Sequence, residues 1–171
     1  MERAGEDAAG FTSGDFRKTL GAFATGVTVV TTSGEEHAYG MTANAFSSLS
    51  LDPPLVLVCI RSGAEGMAQI TSNQVFAVNI LAAHQEPISR YFASKTRPRG
   101  RDAFAEIDHR IGVTGSPIIA DIAGALDCRL YSAQEAGDHH ILIGEVLALE
   151  VFDDVEPLVF HGGRYRVVQT D

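Results

Sequence analysis

The sequence predicts a mainly β protein, an antiparallel, closed or nearly closed barrel carrying a few peripheral helices. Three observations carry that expectation. Short runs rich in Val, Ile, Thr and Phe recur along the chain with turn residues between them. Few segments show a helical period, and strands and helices do not alternate in the rhythm of a parallel doubly wound sheet.

Residues 1–13 are small, charged and Gly-rich and read as a flexible tail, leaving 14–171 as a single domain. Ser13 or Asp15 is expected to cap a short helix with Phe16, Leu20 and Phe23 on one side, ended by Gly26. Val27–Thr32 (VTVVTT) is β-branched throughout and reads as a strand. Residues 34–37 turn the chain, and Ala38–Met41 returns as a hairpin partner. Pro53-Pro54 blocks pairing ahead of the apolar strand Leu55–Ile60, and a short helix over Glu65–Ser72 follows. Val75–Leu81 is a strand and Glu86–Ala93 a helix. Residues 95–103, KTRPRGRDA, form the one basic cluster and read as a mobile, solvated loop. Further strands are expected at Ile118–Ile119, Ala125–Ser132, His140–Phe152, Leu158–Phe160 and Tyr165–Val168.

A chain of 171 residues, 45% hydrophobic, can bury one sizeable core. Its formal charge of -9 and the absence of a basic stripe argue against a nucleic-acid partner. No apolar run approaches the roughly 18 residues that span a bilayer, and the first residues do not read as a signal peptide. A soluble, cytoplasmic protein without a membrane partner is expected. Cys59 and Cys128 are too few for a disulfide framework and read as reduced core residues.

Several chemistries fit poorly. There is no Gly-x-Ser-x-Gly elbow for a serine hydrolase, and neither common phosphate-cradling glycine loop is present. The six histidines are scattered, and His139 and His140 point to opposite faces of a strand, so no metal site is expected. Asp153-Asp154 reads as a solvated pair by a turn. What stands out is the stretch Thr42–Ser50, where Thr42, Asn44, Ser47, Ser48 and Ser50 supply neutral hydrogen-bonding groups without an acid or base. An ordinary Ser/Thr-rich turn accounts for it as well as a ligand loop does. As a ligand loop, it suits a flat heterocycle with imide and carbonyl edges, whose phosphate tail Arg61 and Ser62 would take.

The runs FRKTLGAFATGVTVVTT, YGMTANAFSSLSLDPPLVLVCI, FAVNIL and GDHHILIGEV, in that order between Phe16 and Val168, resemble the flavin reductase family, the reductase components of two-component flavin-dependent monooxygenases. The resemblance implies an FMN-binding split β-barrel, FMN or FAD as flavin, NADH or NADPH as hydride donor, a homodimer, and a separate oxygenase that receives reduced flavin. It implies that Thr42, Ala43, Asn44, Ala45, Phe46, Ser47 and Ser48 meet the isoalloxazine and ribityl groups, largely through the backbone. Cys59 and Ile60 resemble the strand end beside the flavin, with Arg61 and Ser62 at the phosphate. The chain departs from the usual polar turn there, reading RSGAEGMAQI. Asn79 matches a polar position on the next strand, and Arg97, Arg99 or Arg101 would close over a phosphate. His139 matches a histidine that orients the nicotinamide, and Gly144 the glycine of the same motif; His140 falls at a variable position and receives no role. A flavin carrier without reductase activity and a split-barrel oxidase acting directly on an organic substrate are the other readings.

Overall fold

The computed structural model describes residues 10–34 and 38–168, so His37, its two neighbours in the expected turn, and residues 1–9 of the expected tail lie outside it. In chain order the elements are α1 (Ser13–Gly21), β1 (Thr25–Gly26), β2 (Thr28–Ser33), β3 (Ala38–Ala43), β4 (Phe46–Leu51), β5 (Pro54–Arg61), α2 (Glu65–Asn73), β6 (Val75–Ile80), α3 (Glu86–Ala93), β7 (His109–Ile111), β8 (Pro117–Ile119), β9 (Gly124–Ala136), β10 (His139–Val151), β11 (Leu158–His161) and β12 (Arg164–Val167). Short 3₁₀ turns cover Ala83–Gln85 and Gly100–Phe104.

Seven strands form one antiparallel sheet in the order β3-β2-β6-β9-β10-β5-β4. β2 explains its own sequence: Val29 packs into a cluster with Phe92, Phe104 and Ile118, while Val30 packs into one with Val58, Phe76 and Leu142. Both faces of the strand are therefore buried, and an unbroken β-branched run replaces the alternation of a half-solvated strand. The second cluster fills the inside of the curled sheet, where α2 adds Ile70 and Met67. The first lies between the outside of the sheet and α3 with the 100–104 turn and β8.

Curling does not close the barrel by hydrogen bonds. The sheet's two edge strands, β3 and β4, are joined by only Asn44 and Ala45, so they meet at a seam and diverge from it without pairing. The barrel is split there.

Several expectations need correction. Thr12, not Ser13 or Asp15, caps α1, in a reciprocal pair with Asp15, and the helix ends at Gly21. Gly26 lies instead in β1, paired with Val159. Phe16, Leu20 and Phe23 are exposed, at 53%, 56% and 75%, and Phe16 meets the ring of equally exposed Phe11 at 6.0 Å, so the apolar side of this helix is left largely bare by the described chain. Thr42–Ser50 is neither a turn nor a loop: β3 runs through Ala43 and β4 starts at Phe46. Three-residue β7 carried no sequence signal and exists through its pairing with β8. Cys128 is buried, and burial pushes its thiol up to about 12, whereas Cys59 is only half-buried; both are free.

Candidate functional site

An edge strand presents a row of backbone N–H and C=O groups to whatever lies beside it. Here two such rows, from β3 and β4, run out from the link Asn44–Ala45, the apex at which the sheet's two edges meet. Asn44, Ala45, Ser47 and Ser48 are exposed at that apex, and Phe46 tucks back against the barrel core. The apex is pinned from both sides: Cys59 N–H donates to the Ala45 carbonyl at 2.9 Å and the Thr28 hydroxyl to the Ala43 carbonyl at 2.7 Å. Asn44 itself is lightly held, its amide donating to Thr25 Oγ1 at 3.3 Å. A cavity of about 310 Å³ beside it is lined by Phe23, Thr25, Phe46 and Ile80. Thr42 differs, because its hydroxyl donates to the Ser89 carbonyl of α3 at 2.6 Å and so anchors the edge strand.

From Cys59, β5 runs on past the apex to Arg61, about 3.3 Å per residue. There, between the end of β5 and the start of β3, lies a cavity of about 670 Å³. Arg61, Lys95, Arg97 and Arg99 line it against a single acid, Glu65, which Arg99 holds at 3.0 Å. In a chain of charge -9, four cations around one cavity are a local reversal of sign. The N-terminus of α2 opens at the same place. Its cap residue, Ala64, offers no side chain to the free N–H groups, which leaves them for an anion. Gly63, with φ +78°, makes the tight turn between strand and helix, in a region that side chains avoid.

Arg97 is fixed from the far side of this cavity. Its guanidinium donates to the Ser94 carbonyl at 2.6 Å and to the Gly40 carbonyl, and it stacks over the Tyr39 ring with Cζ 5.3 Å from the centroid. Its Nε is buried and finds no partner among the described residues. A buried donor left unmade costs about 1–3 kcal/mol. The donor set of cations, main-chain N–H and the Ser62 hydroxyl matches a phosphate or pyrophosphate. The basic cluster at 95–103 is thus partly built into a wall, contrary to the solvated loop expected of it.

His139 and His140 do face opposite sides of β10. His139 stands across from Arg61 on β5, and its Nδ1 lies 2.7 Å from the Asp138 carboxylate. Hydrogen bonding to His139 holds that carboxyl below its usual value, with the ring's charge adding to the effect. His140 turns inward, opposite Ile60, with Nδ1 3.0 Å from the Ser62 hydroxyl.

Two expected cofactor residues are not at this site. Asn79 is wholly buried in β6, donating to the Val29 carbonyl at 3.0 Å and to Thr31 Oγ1 at 3.1 Å and accepting from Ile119 N–H at 2.8 Å. Its amide holds three elements together, and its complete burial keeps it from a ligand. Gly144 lies in the core, where a Cβ would strike the Phe76 ring and come within 3.0 Å of Cys128 Cβ, so it is a packing glycine. Arg101 does not line the cationic cavity. Lys95, Tyr39 and the α2 N-terminus do, and sequence reasoning passed them over; the KTRPRG run was the available signal. Among the described residues no group of three His, Cys, Asp or Glu converges on a metal position, and no helix is long and apolar enough to cross a membrane.

Comparison with known proteins agrees with this geometry. Residues 20–169 match the flavin reductase like domain. An NADH-dependent FAD reductase of Streptomyces globisporus is 44% identical over 88% of this chain and 82% of that protein. The solved NADH:FAD oxidoreductase of the same organism, in complex with NAD and FAD fragments, superposes with TM-score 0.85 at 41% identity, covering 91% of this chain and 92% of that one. BorF, the flavin reductase component of a bacterial two-component tryptophan halogenase, gives TM-score 0.88 at 37% identity over 94% of this chain and all of its own. With the split barrel, the motif order and the length of these matches in agreement, the chain belongs to the flavin reductase like family.

Proposed function

We propose that this protein is an NADH-dependent flavin reductase that passes a hydride to FMN or FAD and releases the reduced flavin to a separate oxygenase component. The observation that carries the reading is the cationic cavity between the end of β5 and the start of β3, an edge strand of the sheet. The hydride chemistry belongs to the nicotinamide and flavin themselves, so the protein's work is binding and orientation. Asn44, Ala45, Ser47 and Ser48 take the heterocycle at the apex. Arg61, Ser62, Lys95, Arg97 and the α2 N-terminus take the phosphate. His139, half-exposed and steadied by Asp138, orients the nicotinamide by hydrogen bonding and moves no proton.

Family relatives support the same reading, among them the HsaB reductase subunit of a flavin-dependent monooxygenase from Rhodococcus jostii, 37% identical over 91% of this chain and 78% of its own. A homodimer belongs to the proposal: the bare apolar side of α1 and the exposed Leu149 and Val151 of β10 are surfaces that a second copy would cover. Two free cysteines suit a reducing, cytoplasmic setting.

The test is oxidation of NADH, and separately NADPH, with FMN, FAD, riboflavin or no flavin added. Turnover that depends on added flavin is expected, faster with NADH. Flavin binding without turnover for any pair would overturn the reductase reading in favour of a carrier.

A further inference from the structure

We propose that His140, next to the family's histidine and without a role of its own so far, is a positioning residue that acts through Ser62 on the phosphate of the flavin. The inference rests on the phosphate reading of the cationic cavity. Ser62 lines that cavity in the turn between β5 and α2. Two bonds tie this turn to the β9–β10 hairpin: Ser62 N–H donates to the Asp138 carbonyl at 2.9 Å, and the Ser62 hydroxyl lies 3.0 Å from His140 Nδ1. The first fixes the backbone. The second is the one side-chain hydrogen bond to Ser62 among the described residues, and it fixes where the hydroxyl points.

The chemistry of a hydroxyl then assigns the direction. Serine has one O–H to donate and two lone pairs that accept, whereas phosphate oxygens chiefly accept. Ser62 can give its proton to a phosphate only if its hydrogen bond with His140 is one it accepts. Nδ1–H of His140 therefore donates to Oγ, and Oγ–H donates into the cavity. His140 is half-buried on the inward face of β10 and faces away from the side on which His139 stands, so the two adjacent histidines serve different ends of the site. The turn has little else to hold the hydroxyl. Gly63 has no side chain, and Ala64 caps α2 without a polar group. The turn reads RSGAEG, and His140 supplies from the neighbouring strand the support that the turn itself lacks.

The ratio of KM for FMN to KM for riboflavin, which lacks the phosphate, isolates this role. In His140→Ala the FMN KM should rise about fivefold relative to that of riboflavin, the scale of one hydrogen bond. Ser62→Ala should show the same phosphate-selective loss, and the double variant should be no worse than Ser62→Ala alone. His140→Asn, whose amide N–H can stand in for Nδ1–H, should restore most of the ratio. Equal changes for FMN and riboflavin, losses that add in the double variant, or an unchanged FMN KM in His140→Ala would overturn the proposal. A wild-type protein that treats FMN and riboflavin alike would instead remove the phosphate reading and the proposal with it. Preference kept in His140→Ala but lost in Ser62→Ala would remove the proposal alone.

Discussion

Two asparagines separate the centre of this sheet from its split edge. Asn79 sits in β6, flanked by strands on both sides, with its amide donating twice and accepting once inside the core. Asn44 sits where β3 and β4 part, exposed, with a single long bond to Thr25. The side chains are chemically identical, and family motifs pointed to both as flavin contacts. What distinguishes them is whether their hydrogen-bonding capacity is already used. At the centre every polar group must be satisfied by the protein, so a polar residue there is a strut. At the edge the fold leaves groups open, and those are available to a ligand.

The largest effect should come from exchanging these two positions' fates. Asn79→Leu strands the Ile119 N–H and strips the Val29 carbonyl and the Thr31 hydroxyl of a bond each in the core, and should cost about 2–5 kcal/mol in urea unfolding. Asn44→Ala should cost no more than about 0.5 kcal/mol while weakening flavin binding. A stable Asn79→Leu protein with selectively lost flavin affinity would break the comparison. Next in size is Arg97→Leu, which removes a fixed cation from the cavity wall; FMN should bind roughly 10–100-fold more weakly, with riboflavin little changed, as expected for losing a charged hydrogen bond. Comparable losses for both flavins would mean that Arg97 only braces Gly40.

Smaller effects are expected at the exposed rim. His139→Ala should raise the NADH KM several-fold and lower kcat less, because orientation and not proton transfer is lost. A collapse of kcat at constant KM would instead make His139 an acid or base. The smallest effect involves its neighbour. Folding lowers the Asp138 pKa below its ordinary 3.8, so the stability this carboxylate adds is complete above that value and is lost as pH falls through the lower, folded value. Asp138→Asn should therefore lower stability slightly at neutral pH, converge on the wild type in acid and so flatten the acid limb of the unfolding curve. Steeper acid sensitivity in the variant would reverse the sign of that argument.

The fold was legible in the sequence where burial is two-sided or a helix carries its own signals. VTVVTT read as a strand and is one from Thr28, and Glu86–Ala93 is a helix over its full expected length, opened by a proline in its first turn and burying Phe92. The shape of the candidate site was not legible. Thr42–Ser48 read as a loop because a two-residue link between strands carries the same small polar residues as a turn. The end of α1 was misplaced since its apolar residues stay exposed, and packing against a core is what fixes where a short helix stops. Arg97 and Ser62 acquire meaning from partners distant in sequence, Gly40 at 57 residues and His140 at 78. No local pattern encodes such pairings. Gly144 misled in the opposite way, since a motif glycine can be demanded by Phe76 as easily as by a cofactor.

The central claim is that the split holds a flavin with its phosphate in the cavity of Arg61, Lys95 and Arg97. It is tested most directly by comparing equilibrium dissociation constants of FMN, FAD and riboflavin for the wild-type protein at low and high salt. The account predicts that the phosphorylated flavins bind at least about tenfold more tightly at low salt, and that the advantage narrows as salt screens the cavity. Equal affinity for all three flavins, unchanged by salt, would contradict it.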